Sequence, residues 1–482
     1  MQTEPKTKLA LSILVVAVIL GLLADGLLRG VTWGVNVTIW IGILIAGLFA
    51  AKRAGNGTLE FGSAILIAPM LIFGICFAWR DSTMLQGLDL GAIILAAALV
   101  VTRQSAPLWM PSLSRVIGSV FNLAAHCFAG FVHLISRDID WSQQRSSVVA
   151  ANARGAAAGV MIAFPLLVLF TVLFIRADAA FEKLFQDVLH MNVVAHVIPV
   201  ALGTWLAGSY LRGVLVPSAA KTSDSAQSKL ALGSTELNVA LGLINVLFAT
   251  FVAVQIQYLF GSARTVETTA GLTYAGYARR GFFELVTVAL LVLPILLTGD
   301  LLHTHERSKR TFRIQSFVLV ALVFCVMASA MHRMRLYQYA YGLTELRFYV
   351  TAFMIFLAVV FGLFCITVLR DLRGLFAMGT VAIGFAAIFT LHVVNPDQWI
   401  ARANLANARA GRIFDPAYLK SLSADAVPVV MEQANRIDPT VLEEFLDHQT
   451  KRLDETDDWR SWNYGRAKAN WATRVLSRRG GL

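Results

Sequence analysis

The chain has 482 residues, 57% hydrophobic and 15% charged, with a mean hydropathy of +0.65 and a formal net charge of +11. A soluble globular chain carries roughly 25% charged residues, so this one lacks the polar surface to cover itself in water and needs lipid as its solvent. The positive charge fits Lys and Arg gathered in cytoplasmic loops, and no basic tail or recognition motif points to nucleic acid.

Lys6 and Lys8 precede an apolar run over 9–28 that is long enough to span and is followed by further spans. This predicts an uncleaved first helix in place of a signal peptide. Further spanning runs are 31–51, 61–79, 156–175, 193–216, 236–260, 282–302, 314–332, 348–369 and 374–394, with a shorter one at 88–101. Eleven spans with a cytoplasmic N-terminus put 18 Lys/Arg on the inner side and 10 on the outer, leaving 13 in the tail. Counting 117–135 as a span flips everything after it and gives 14 against 14. The positive-inside rule therefore lays 117–135, with Asn122, His126 and His133, along the inner surface as an amphipathic helix.

Residues 176–192 read as an outer interfacial helix, and 216–234 as a Ser-, Ala- and Lys-rich linker. The four cysteines (Cys76, Cys127, Cys325, Cys365) lie in apolar runs without a C-x-x-C pair, which speaks for small core hydrophobes over a disulfide framework or zinc site. From Asn395 the composition changes: the tail holds 12 Asp/Glu against 13 Lys/Arg and no spanning run. Asn395-Pro396 and Asp438-Pro439 are helix starts. Trp459, Trp462, Tyr464 and Trp471 read as a domain core or a rim on the membrane surface, ahead of an aromatic cage.

The fold class that follows is all-α: a polytopic transmembrane helix bundle of about eleven spans with a small helical extramembrane C-terminal domain. Its expected parts are N-terminal transmembrane helices over 1–110, a cytoplasmic-side amphipathic segment over 111–155, a transmembrane core over 156–394 and the helical tail over 395–482.

Two polar boxes interrupt the core. GLTYAGYARRGFFEL (271–285) supplies Tyr277, Arg279, Arg280 and Glu284, with Thr273 as a helix cap. MHRMRLYQYAYGLTELRFYV (331–350) repeats Gly-Leu-Thr and supplies Arg333, Arg335, Tyr341, Glu345 and Arg347, with Thr344 as the cap. Both helices start at the outer face in this topology, so helix N-termini and arginines would favour an anion there. The boxes are predicted to meet in one cluster just below the outer interface, as a structural lock or as a ligand site. Asn238, Gly242, Asn245 and Ala249 form a small polar stripe suited to helix packing. Asp25 and Asp300, near helix ends, are expected to face water, and His303-Thr304-His305-Glu306 to be a solvated charge run with no metal.

The segments VQIQYLFG (254–261), GLTYAGYARRGFFEL, RLYQYAYGLTELRFYV and NPDQWIARANL together resemble an uncharacterised bacterial membrane family, domain of unknown function 4173, related to the broader 4153 group. The resemblance covers roughly residues 150–430 and implies a multi-pass protein of the bacterial inner membrane. It transfers no activity and no cofactor.

Three function classes follow. The favoured one is an outward-facing sensor or assembly subunit that binds an anionic ligand or lipid headgroup, with a membrane or envelope protein as a possible partner. The others are a secondary transporter of an anionic solute and a membrane-embedded transferase on a lipid-linked substrate, for which Asp81 and Asp89 are the acidic candidates. No hydrolase, Walker, zincin or dinucleotide motif is present, so a non-enzyme is favoured.

Overall fold

The computed structural model describes residues 3–55, 57, 61–103, 113–139, 192–216, 234–260, 282–302, 306–412, 414–456 and 458–478. Every regular element among them is helical. The predicted span 156–175, nearly all of the interfacial helix 176–192, the body of the linker, residues 271–281 of the first box and 303–305 lie outside them. The chain divides into two compact units, Met1–Ala220 with Thr450–Trp471, and Lys221–Gln449 with Ala472–Leu482.

The first unit holds α1 (Thr3–Leu28), α2 (Val35–Ala54), α3 (Phe61–Cys76), α4 (Thr83–Arg103), α5 (Leu113–His133) and α6 (Asn192–Leu215). The second holds α7 (Ser234–Phe260), α8 (Phe282–Leu302), α9 (Glu306–Tyr341), α10 (Glu345–Thr367) and α11 (Arg373–Val394). The tail adds α12 (Pro396–Arg409), α13 (Pro416–Ser421), α14 (Val427–Glu432), α15 (Pro439–Asp454) and α16 (Tyr464–Arg478). Both Pro-marked helix starts, at 396 and 439, are found. Six helices (α1, α2, α4, α9, α10 and α11) are long and apolar enough to cross a membrane, and α3, α7 and α8 contain shorter apolar stretches. The chain is a helical membrane protein.

In the first unit α1 and α6 run antiparallel in close contact. A Cβ on Gly21 would stand 2.1 Å from Thr204 Oγ1, so only glycine lets these backbones approach. The second half of α5 stays against the last turns of α6. Trp205 Nε1 donates to the Cys127 carbonyl at 2.7 Å, and Ser209 Oγ accepts from Phe131 N at 3.0 Å. A π turn (Leu134–Asp138) then brings Asp138 to Arg212 at 2.5 Å. Asp25 does not stand in open water as expected. It takes His196 Nδ1 at 2.6 Å and Arg29 at 3.5 Å, because α6 brings an imidazole and the residue after α1 a guanidinium to it.

Tail residues complete the ends of α3. Asn463 Nδ2 donates to the carbonyls of Phe77 and Arg80, both at 2.8 Å, while its Oδ1 caps α16 by accepting from Gly465 N at 2.8 Å. Tyr464 N donates to Ala78 O at 2.8 Å. Arg466 reaches buried Asp81 at 2.6 Å, with Arg452 at 3.8 Å from the same carboxylate. Trp459, Trp462, Tyr464 and Trp471 are 48–67% exposed, so they form no domain core.

In the second unit Asn245 Nδ2 donates to Gln315 O at 3.1 Å, and Gly242 leaves room for Gln315, so the polar stripe of α7 packs on α9 as expected. Phe361, Phe364 and Phe376 are fully buried in the core that α10 and α11 share with α8 and α9. At one end of this bundle Arg373 grips Asp300, Nε to Oδ2 at 2.7 Å, and Arg313 pairs with Asp371. Asp300 is therefore buried and paired, where the sequence alone suggested solvation. Arg373 at the start of α11 supplies a guanidinium to this last turn of α8.

Breaking a buried ion pair from one side costs about 3–5 kcal/mol, whereas replacing both partners with apolar groups costs far less. Arg466→Met should therefore lower the thermal midpoint of the detergent-purified protein more than the double change with Asp81→Leu does.

Candidate functional site

The second box is a helix-to-helix connection whose three residues have separate jobs. Gly342, at φ +75, ends α9 in the left-handed conformation that glycine adopts without strain. A Cβ there would also stand 2.9 Å from Asn404 Oδ1. Thr344 caps α10, its hydroxyl accepting from Arg347 N at 3.5 Å. Leu343 lies buried between them, and the Asn404 side chain of α12 pairs with both of its peptide groups, accepting from N and donating to O at 2.8 Å each. Tyr418 Oη of α13 accepts from Glu345 N at 2.6 Å.

Arg347 turns back over the end of α9. Its guanidinium donates to the carbonyls of Tyr341, at 3.1 Å, and Gly342, and lies 4.1 Å from the Tyr337 ring centroid. These carbonyls have no partner inside their own helix, and a cation at a helix C-terminus also meets the dipole favourably. Arg412 stacks on Tyr339 in the same way, at 3.9 Å.

Asp397 is the least expected member. Asn395, at φ 55, caps α12 through Gln398 N, Pro396 opens the helix, and Asp397 follows in its first turn. The residue is 0% exposed. The Ser423 hydroxyl donates to its Oδ2, while Oδ1 receives no N–H or hydroxyl hydrogen bond from the described residues. The Glu345 carboxyl stands in hydrogen-bonding contact with Asp397. Burial above all, with the Glu345 charge and hydrogen bond adding to it and Ser423 opposing, pushes the Asp397 pKa from 3.8 up to about 7. Burial also lifts the Tyr418 hydroxyl to about 12. Two carboxyls in hydrogen-bonding contact need a proton between them, since neither carboxylate can donate.

Of the residues predicted for the site, Glu345 and Arg347 are brought together around this turn, and Tyr341 joins through its carbonyl with an exposed ring. Arg333 is buried and Arg335 exposed on the last turns of α9. Tyr277, Arg279 and Arg280 lie outside the described residues, and Glu284 is placed only as a backbone position in α8. Asn404, Tyr418, Ser423 and Asp397 were not predicted. The sole signal was NPDQW, which reads as helix punctuation until its carboxylate proves buried. Elsewhere in the second unit a concavity of about 190 Å³ is lined by Leu405, Phe414, Ile437 and Val441, with Arg409 and Arg436 beside them.

The sequence profile of one family, described as a domain of unknown function (DUF4153), matches residues 67–433. No curated protein and no solved structure matches the chain.

Replacing Asn404 with Leu removes both partners of a buried peptide. Each orphaned group costs about 1–3 kcal/mol, so Asn404→Leu should loosen the α9–α10 connection. Faster proteolysis near residue 343 at unchanged expression would register this; wild-type resistance would contradict it.

Proposed function

The chain belongs to this family of unknown function through residues 67–433, and from that premise we propose that it is an outward-facing sensor or assembly subunit of the bacterial inner membrane. Its ligand in this reading is an anionic solute or lipid headgroup. The observation that carries the reading is the charge balance at the α9–α10 connection. Arg347 and Arg412 lie on tyrosine rings of the last turn of α9, and Arg333 and Arg335 stand further back on the same helix, while burial holds the Asp397 carboxyl toward its neutral form beside Glu345. The repeated Gly-Leu-Thr boxes support the narrower likeness to the 4173 group.

The proposed topology has eleven spans, a cytoplasmic N-terminus, α5 along the inner surface and an extracytoplasmic tail. The 18-to-10 charge split supports it. So does the return of Asp138 to Arg212, close to the end of α6. The exposed aromatics Trp459, Trp462, Tyr464 and Trp471 suit a membrane–water interface. The transferase alternative is weakened because both of its acidic candidates are buried, Asp81 against Arg466 and Asp89 with no exposure at all. Alkaline phosphatase fused after Leu482 should be active in a bacterial host; an inactive fusion would reverse the tail's side.

Native mass spectrometry tests the ligand class. The protein should retain phosphatidylglycerol in preference to phosphatidylcholine. Arg335→Gln and Arg280→Gln should each weaken retention about tenfold, the worth of one charge-assisted contact, at normal expression. Equal retention of both lipids by every form would refute the anion reading.

A further inference from the structure

We propose that Glu345 and Asp397 form a proton-binding site that locks the tail helices onto the α9–α10 connection. The lock is tight while Asp397 holds a proton toward the Glu345 carboxyl and loosens when Asp397 ionises. Its geometry is that of a joint: Glu345 opens α10, Asp397 sits in the first turn of α12, and Asn404 and Tyr418 fasten the same connection on either side. Asp397 is fully buried, and its Oδ1 has no N–H or hydroxyl donor among the described residues, so ionising it beside the half-buried Glu345 leaves a charge shut off from water next to a like one.

The direction with pH follows from the folded state holding this proton more tightly than the unfolded chain. Asp397 stands at about 7 against 3.8. A carboxyl raised in this way contributes stability that is complete below its unfolded pKa and lost as pH rises through its folded one. The window therefore runs from roughly pH 4 to 7, with the lock firmest in acid. The charged and titratable groups set around the pair are Arg347 from α10, Tyr418 from α13, and Ser423 and Asp425 from the turn before α14. His392 of α11 and Glu432 of α14 lie on helices that also pack on α12, and the comparison below separates them from Asp397. The lock rests on the sensor reading only for its use, because a proton can govern docking of the tail whether or not an anion binds.

The test uses the full chain in detergent or nanodiscs. The thermal midpoint of the wild type should fall as pH is raised from about 5.5 to about 8.5, through the folded pKa. Asp397→Asn, whose amide donates to Glu345 at any pH, should stay docked and lose that part of the slope. Glu345→Gln does the same from the other side if the first variant fails to fold. The wild type also carries its own check, an infrared band of a buried protonated carboxyl present at the lower pH and absent at the higher. A slope in Asp397→Asn as steep as the wild type's, or no such band at either pH, would overturn the lock. Loss of anionic-lipid preference with the slope intact would instead count against the sensor reading alone.

Discussion

A helix that ends where lipid ends leaves four carbonyls or four N–H groups without partners in its own ladder. Supplying those partners is the constraint on which much of this structure depends. The tail meets it in each unit with the same chemical device, a single asparagine amide. Asn463 feeds the carbonyls after α3 while capping its own helix, and Asn404 pairs edge-to-edge with the peptide groups of Leu343. An amide suits the task because it offers a donor and an acceptor side by side, matched to a peptide edge. Arginine does the rest: Arg347 covers the last carbonyls of α9, and Arg466 neutralises the aspartate beside the end of α3.

That division of labour explains why so polar a segment follows so apolar a chain. The spans need little from side chains to form, since their ladders are internal and their faces are greasy. What is specific lies at their ends. Asp397 shows the cost of specificity: a buried acid beside Glu345 is held toward its neutral form, and a proton is a variable the surroundings set.

Much of the architecture was legible in the residues because long apolar runs and helix punctuation are local signals. The run 282–302 is α8 residue for residue, Thr344 caps α10, and Pro396 and Pro439 open helices. The stripe of Asn245 and Gly242 was readable because spacing alone puts both on one face. Partnerships were not legible. Asp25 and Asp300 looked like solvated helix ends, and their partners His196 and Arg373 come from α6 and α11, remote in sequence. The tail aromatics cluster in sequence like a core and are exposed in space. Asp397 was hidden by its own motif, because an acid after Asn-Pro is what any helix start prefers, and nothing local announces that Ser423 and Glu345 will bury it.

The bond between Asn463 and Phe77 joins residues 386 positions apart. At about 5–20 residues per second, a ribosome needs roughly 20–80 s to make the second after the first. Throughout that interval the Phe77 and Arg80 carbonyls lack the Asn463 amide, and Asp81 lacks Arg466. The first unit is thus left ajar during biosynthesis until the tail residues that close it arrive. A transcript truncated before Asn463 would yield spans that insert normally and a product that quality-control proteases can still recognise as unfinished.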